Sequence, residues 1–131
     1  MKVVFKKIKD DLIKEKNDII KDVLHKYYKI DNYKLKVTKN NNVYIEGKTV
    51  YISVSNTDNY LFMVFDKKPV GCDIELISSN LNKSEIKEVA IKKSIIRLED
   101  LESDDDIDIN KYNLKTKMVG KNIISIVTYK D

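Results

Sequence analysis

The chain has 131 residues, of which 42% are hydrophobic and 35% charged, a balance typical of a globular domain with a core of its own. The formal net charge is only +4, and the acidic residues are interleaved with the basic ones, which argues against the clustered basic surface of a nucleic-acid-binding protein. No apolar run approaches the roughly 20 residues that cross a bilayer, and the N-terminus lacks an apolar signal region, so we expect a cytoplasmic protein without a membrane segment.

The chain is predicted to begin with helix and to continue into strands. Apolar residues recur with helical spacing over residues 7–29, and Asn17 or Asp18 could cap a second helix inside that span. An Asp-Asn pair then indicates a turn, and alternating residues from Lys34 to Val37 predict a strand.

Three more strands are predicted before the middle of the chain. The segment VYIEGKTVYISVS, at 43–55, is typical of a hairpin that turns at Glu46-Gly47. A polar turn at 56–59 separates it from the apolar run YLFMVF at 60–65, which predicts a buried strand.

The second half repeats the order of strands and helix. The stretch PVGCDIE, at 69–75, predicts a strand, and a helix is expected over about 83–97. An acidic linker at 99–108 leads to a final hairpin that turns through Val119-Gly120-Lys121. We therefore expect one α+β domain made of two related halves, residues 1–68 and 69–131, with helices packed on antiparallel sheets.

Two carboxylates stand two residues apart in the strand at 69–75. In a strand, Asp73 and Glu75 share one face, while Cys72 and Ile74 point to the other. Two like charges this close are costly unless a cation or hydrogen-bond donors compensate them. A hard cation such as Mg²⁺, held by carboxylates and substrate phosphates, is one such compensation.

The predicted helix adds a third acid. Glu88 and Lys92 are four residues apart and share a helical face, which by itself is typical of a surface ion pair. The combination is more informative: a strand with G-x-D-x-E, a short connection and a helix with K-E-x-x-x-K resemble the 4′-phosphopantetheinyl transferase superfamily. The chain resembles the longer, surfactin-synthetase-activating type of these enzymes from near Asn17 to the closing hairpin, YNLKTKMVGKNIISIVTY.

The resemblance implies a function and its catalytic residues. The reaction would be the Mg²⁺-dependent transfer of 4′-phosphopantetheine from coenzyme A to a serine of an acyl or peptidyl carrier protein. Asp73, Glu75 and Glu88 would hold the metal, which would also grip the pyrophosphate of coenzyme A. Glu88 would act as base toward the serine hydroxyl, and Lys92 would neutralise the leaving group.

The resemblance also implies contacts to the rest of the cofactor. Lys48, in the sequence EGKT, corresponds to a lysine that contacts the nucleotide end of coenzyme A. Ser55 and Asn56 correspond to a Ser-His pair that meets its phosphate and ribose. The expected partners are therefore coenzyme A and a carrier protein, with neither nucleic acid nor membrane.

Several departures from the family keep an alternative open. The family histidine is Asn56 here, the family tryptophan is Ser84, and only 13 positions separate Glu75 from Glu88. A second alignment places Lys93 at the third ligand position, which would leave no metal site. The alternative function is that of a catalytically degenerate relative that binds coenzyme A or a carrier protein without transfer.

Four further sequence features are given no part in the predicted chemistry. The shortened connection could expose an apolar patch that dimerisation would cover. His25, the single histidine, is expected to face solvent, and Cys72, the single cysteine, to lie in the core. The run DDDID at 104–108 lacks the glycine and glutamate spacing of a calcium loop and is interpreted as a solvated linker.

Overall fold

A computed structural model describes residues 1–40, 42–47, 49–78, 80–103 and 107–131. Within these ranges the fold is α+β, as expected, with two antiparallel sheets and two helices. The first sheet has five strands in the spatial order β1-β5-β4-β3-β2. These strands are β1 Lys2–Lys7, β2 Leu35–Val37, β3 Val43–Ile45, β4 Tyr51–Asn56 and β5 Tyr60–Asp66.

Helix α1, Leu12–Tyr28, packs on this sheet. It begins where the side chain of Asp11 accepts hydrogen bonds from two backbone N–H groups, and it ends at Lys29, which adopts a left-handed conformation with φ 57°. The prediction of helix from residue 7, and of a second helix within 7–29, is therefore wrong. The preceding residues form β1 instead, because their backbone groups pair with β5.

The second sheet contains three strands in the order β6-β8-β7, and the closing hairpin is confirmed. Its strands are β6 Val70–Leu76, β7 Tyr112–Val119 and β8 Asn122–Tyr129, and the 3₁₀ turn Ile109–Lys111 precedes β7. β6 pairs with β8 over its whole length, so the strand that carries Asp73 and Glu75 takes its backbone partners from the end of the chain.

Helix α2, Lys83–Glu99, covers the second sheet. Asn82 caps its first turn by accepting from the N–H of Glu85, and Asp100 closes the helix in a left-handed conformation with φ 56°. The helix lies very close to β6 at Gly71, where an added Cβ would stand 2.0 Å from the carbonyl oxygen of Ser94. Glycine at this position therefore sets how closely α2 approaches the strand.

The two sheets meet at β4 and β6, where serine hydroxyls of β4, and not its backbone carbonyls, accept hydrogen bonds from backbone N–H groups of β6. Ser53 Oγ accepts from the N–H of Cys72 at 2.9 Å, and Ser55 Oγ accepts from the N–H of Ile74 at 3.2 Å. Because Cys72 and Ile74 are two residues apart, both N–H groups point from the same edge of β6. The side chains of Cys72 and Ile74 pack into a core with Phe62 and Val64. This is the position expected for Cys72.

Neither of the two described helices combines the length and the apolar character needed to cross a membrane. α1 is amphipathic, with Ile20, Val23 and Leu24 buried against the first sheet. α2 has Ile86, Ala90 and Ile95 buried on the second sheet and charged residues along much of its remaining surface.

Candidate functional site

Asp73 and Glu75 lie on the same side of β6, toward α2, as the alternation of the strand predicts. Asp73 is only 1% exposed. Its Oδ1 accepts a hydrogen bond from Ser55 Oγ at 3.0 Å and another from Arg97 Nη1 at 2.5 Å. The guanidinium and the hydroxyl on this one oxygen compensate part of the cost of burying the carboxylate.

Arg97 is a central residue of the site that the sequence interpretation missed. Its Nη1 also donates to the backbone carbonyl of Cys72 at 2.9 Å, which fixes the guanidinium between α2 and β6. The composition of the sequence could have drawn attention to this residue, because Arg97 is the one arginine among 25 lysine and arginine residues. Arginine suits this position because its planar, weakly hydrated guanidinium can be partly buried while donating to two acceptors.

Glu75 is paired with a second cation of α2. Lys93 Nζ lies 3.3 Å and 3.4 Å from the two carboxylate oxygens of Glu75. The Glu75 side chain is 22% exposed and that of Lys93 50% exposed, so water weakens this ion pair. Lys93 and Arg97 are four residues apart on one helical face and together neutralise the two acids of β6.

The pKa of Asp73 is raised from its ordinary 3.8 to about 7, first because burial disfavours the charged carboxylate. The adjacent Glu75 side chain, within hydrogen-bonding reach, raises it further, while the Arg97 guanidinium opposes the shift. Oδ2 of Asp73 is buried and accepts from no described residue. A proton on Oδ2 would allow Asp73 to donate to Glu75, so the two acids can share one proton.

Glu88 and Lys92 form a separate pair on α2. The Glu88 Oε1 lies 3.1 Å from Lys92 Nζ, and the Glu88 side chain is 66% exposed. Among the residues that the structure describes, no three His, Cys, Asp or Glu side chains form a group that could hold a metal ion. Glu88 is thus not brought to Asp73 and Glu75 as a third ligand in this arrangement.

The remaining predicted site residues have different positions. Ser55 is buried at the junction of the sheets and contacts Asp73. Asn56 is exposed, and its Nδ2 donates to the carbonyl of the neighbouring Thr57 at 3.1 Å. Lys48 lies outside the described residues. Lys93, which the second alignment placed at the third ligand position, is the residue that contacts Glu75.

A cavity of about 250 Å³ opens beside the paired acids, between α2 and the loop that follows β2. It is lined by the side chains Lys39, Asn40, Lys93, Ile96 and Arg97. Asn40 Nδ2 donates to Asp100 Oδ1 and to the carbonyl of Leu101, both at 2.8 Å, and so joins the loop to the end of α2. Three cationic side chains around one cavity favour an anionic ligand.

The His25 imidazole and the Cys72 thiol are engaged elsewhere in the chain. His25 is exposed and pairs with Asp31, in agreement with its expected solvent-facing position. Burial raises the pKa of the Cys72 thiol to about 12, so the nucleophilic thiolate is scarcely populated near neutral pH.

The resemblance to phosphopantetheinyl transferases rests on the strand motif that contains Asp73 and Glu75 and on the helix motif that contains Glu88 and Lys92. The chain matches no protein-family model, and a search of curated proteins finds no match.

Proposed function

We propose that this chain is a divergent relative of the 4′-phosphopantetheinyl transferases that binds coenzyme A, or a carrier protein, without transferring the phosphopantetheine arm. The observation that most directly supports this proposal is that both acids of β6 are paired with cations of α2. Arg97 contacts Asp73 at 2.5 Å, and Lys93 contacts Glu75 at 3.3 Å. Where the resemblance implies a divalent metal, these two side chains supply the positive charge.

The cavity beside the acids supports an anionic ligand such as the pyrophosphate of coenzyme A. Lys39 and Lys93 are roughly half exposed, and their ion pairs with Glu102 and Glu75 are 3.4 Å and 3.3 Å long. Exposed pairs of this kind are worth at most about 1 kcal/mol, so either lysine can exchange its carboxylate for a phosphate at low cost. Phosphate oxygens would gain charge-assisted hydrogen bonds from them.

The described arrangement does not fit magnesium at the predicted position. Mg²⁺ requires octahedral oxygen coordination and usually retains several waters. Asp73 is 1% exposed, and its Oδ1 already accepts two hydrogen bonds. Lys93 stands at Glu75, and Glu88 is paired with Lys92 instead.

One observation favours transfer as a second candidate function. Oδ2 of Asp73 accepts from no described residue, and Glu75 lies beside it. A movement of Lys93 toward a bound phosphate would uncover Glu75, and the two acids could then meet a cation together. Such a rearrangement would be driven by coenzyme A itself.

Calorimetric titration with coenzyme A, in EDTA and then in excess Mg²⁺, tests the proposed binding. We expect the same affinity in both conditions, weakened in a Lys39→Ala/Lys93→Ala variant and unchanged in Lys87→Ala, a lysine elsewhere on α2. Binding that requires Mg²⁺ and is weakened by Glu88→Gln would favour the predicted acid trio. If no heat is observed, a titration with an apo carrier protein tests the other proposed ligand, and failure of both rejects the proposal.

Intact-mass spectrometry separates binding from transfer. An apo carrier protein incubated with this chain, coenzyme A and Mg²⁺ is expected to keep its mass. A gain of one phosphopantetheine, lost in the Glu88→Gln variant, would establish the transferase and overturn the proposal.

A further inference from the structure

Helix α2 carries a second partly apolar surface on the side that faces away from the sheet. The groove on this side is lined by Leu81, which precedes the helix, and by Glu85, Glu88, Val89, Lys92, Lys93 and Ile96; we call these residues other than Lys93 the outer stripe. At 3.6 residues per turn, the centre of the stripe lies opposite Ala90 and Ser94, which are buried on the second sheet. The outer stripe lines an open groove of about 470 Å³.

The apolar members of the outer stripe are incompletely covered by this chain. Leu81 is 46% exposed, and Val89 and Ile96 are each only partly buried. The contacts of α2 are mainly with β6 and β8, on its other side. A helix with apolar residues on two opposite sides is typical of one that is covered on both.

The order of residues along the outer stripe is self-complementary. The stripe has a midpoint in the sequence between Glu88 and Val89. Leu81 and Ile96 are equally far from this midpoint, and so are Glu85 and Lys92. A two-fold axis through that point, perpendicular to the helix, would place apolar Leu81 opposite apolar Ile96 of the second copy. The same axis would place acidic Glu85 opposite basic Lys92.

We propose that the outer stripe is the contact surface of an antiparallel, two-fold dimer of this chain. A two-fold interface uses the same surface on both copies, so each complementary pair occurs twice. The dimer would contain two Leu81–Ile96 contacts and two Glu85–Lys92 ion pairs, and the axis would bring Glu88 and Val89 of both copies to its centre. Lys92 would exchange its ion pair with Glu88, 3.1 Å long within one chain, for one between chains.

The size of the outer stripe sets the strength of the dimer. From Glu85 to Ile96 the helix extends about 17 Å at 1.5 Å per residue, so one helix pair buries less than a standard interface of about 1,600 Å². We therefore expect a reversible, concentration-dependent equilibrium. The inference goes beyond the proposed ligand binding and does not rest on it, although Lys93, which contacts Glu75, also lines the edge of the groove.

Sedimentation velocity of the full chain over a wide range of concentration, without ligand, tests the dimer. We expect a shift from monomer to dimer in the wild type. Glu85→Lys and Lys92→Glu should each weaken association about tenfold or more, because each substitution creates two repulsive pairs. Lys87→Glu, the same charge change on another face of α2, should leave association unchanged.

Charge exchange makes the test specific. The double variant Glu85→Lys/Lys92→Glu restores two attractive pairs and should dimerise again. A mixture of the two single variants should form heterodimers while each alone stays monomeric. The double variant also controls for the bond that Asn82 Nδ2 donates to Glu85 Oε1 at 2.7 Å, which Glu85→Lys also removes.

Two results would overturn the inference. One is a wild type that is monomeric at every concentration, which would leave the outer stripe to a different protein. The other is a dimer whose affinity is the same in Glu85→Lys, in Lys92→Glu and in the wild type, which would place the interface elsewhere on the chain.

Discussion

Arg97 of α2 donates from a single guanidinium nitrogen, Nη1, to Oδ1 of Asp73 at 2.5 Å and to the backbone carbonyl of Cys72 at 2.9 Å, both on β6. The contact joins the helix to the strand and compensates a carboxylate that is 1% exposed. It also brings a fixed positive charge to the position where the sequence motif predicts a metal.

Replacement of Arg97 by methionine should destabilise the protein by about 3 kcal/mol at pH 8, because the buried Asp73 carboxylate loses its counter-charge. The loss should be smaller at pH 5, where Asp73, with a pKa of about 7, is protonated. Urea unfolding at the two pH values measures both effects. Equal losses at pH 5 and pH 8 would show that packing of the arginine side chain, and not its charge, is what stabilises the fold.

Asp73→Asn should change how stability depends on pH. The folded pKa of about 7 lies above the ordinary 3.8, so the folded state retains a proton that the unfolded state releases. The resulting stabilisation is complete below about pH 3.8 and is lost as the pH rises through 7. Asparagine does not titrate, and its Oδ1 can still accept from Ser55 and Arg97.

We therefore expect Asp73→Asn to gain stability relative to the wild type between pH 5 and pH 8. Chemical denaturation in a series of buffers gives the difference in the free energy of unfolding at each pH. A difference that is constant over this range would contradict the raised pKa of Asp73.

Ser55→Ala should cost about 1–3 kcal/mol, because it leaves the buried N–H of Ile74 without its hydroxyl acceptor and removes a donor to Asp73. Asn56→Ala is the matched control. The Asn56 side chain is exposed and, among the described residues, bonds to the neighbouring carbonyl of Thr57, so its loss should cost less than about 0.5 kcal/mol. Urea midpoints that fall equally in both variants would contradict the structural role of Ser55.

Gly71→Ala should destabilise the protein by about 1–3 kcal/mol through overpacking. The new Cβ would stand 2.0 Å from the carbonyl oxygen of Ser94 and 2.9 Å from Leu98 Cβ, so α2 must move away from β6. The same movement should weaken coenzyme A binding, because it displaces Lys93 and Arg97. Thermal unfolding and calorimetry measure the two effects.

Gly120→Asn is the control for that experiment. Gly120 has a φ of 60° and open space around it, and asparagine tolerates a left-handed conformation. A Gly71→Ala protein as stable as Gly120→Asn would show that α2 adjusts to β6 without cost.

Local patterns in the sequence determined most of the elements. Alternation predicts β6 and the closing hairpin, and helical spacing predicts α2 within two residues of its observed end at Glu99. The shared face of Asp73 and Glu75 follows from the period of a strand alone. These properties depend on neighbours in the chain, so the sequence reveals them directly.

The N-terminal strand was missed for a non-local reason. β1 is stabilised as a strand by pairing with β5, which places Lys2 opposite Phe65. Its own residues, Lys-Val-Val-Phe-Lys-Lys, have no strict alternation, and the helical spacing that follows extends the predicted helix toward them. Only the partner strand decides the conformation.

The counter-charges of the β6 acids were decided by tertiary structure. The rotation of α2 about its own axis is set by the close approach at Gly71 and by the burial of Ala90 and Ile95. That rotation directs Lys93 and Arg97 to the acids and leaves Glu88 exposed with Lys92. The sequence by itself determined that two acids stand side by side on β6. Only tertiary packing decided that cations meet these acids. The cations lie on a helix about 20 positions further along the chain, and side chains so far apart in sequence become neighbours only when the core forms.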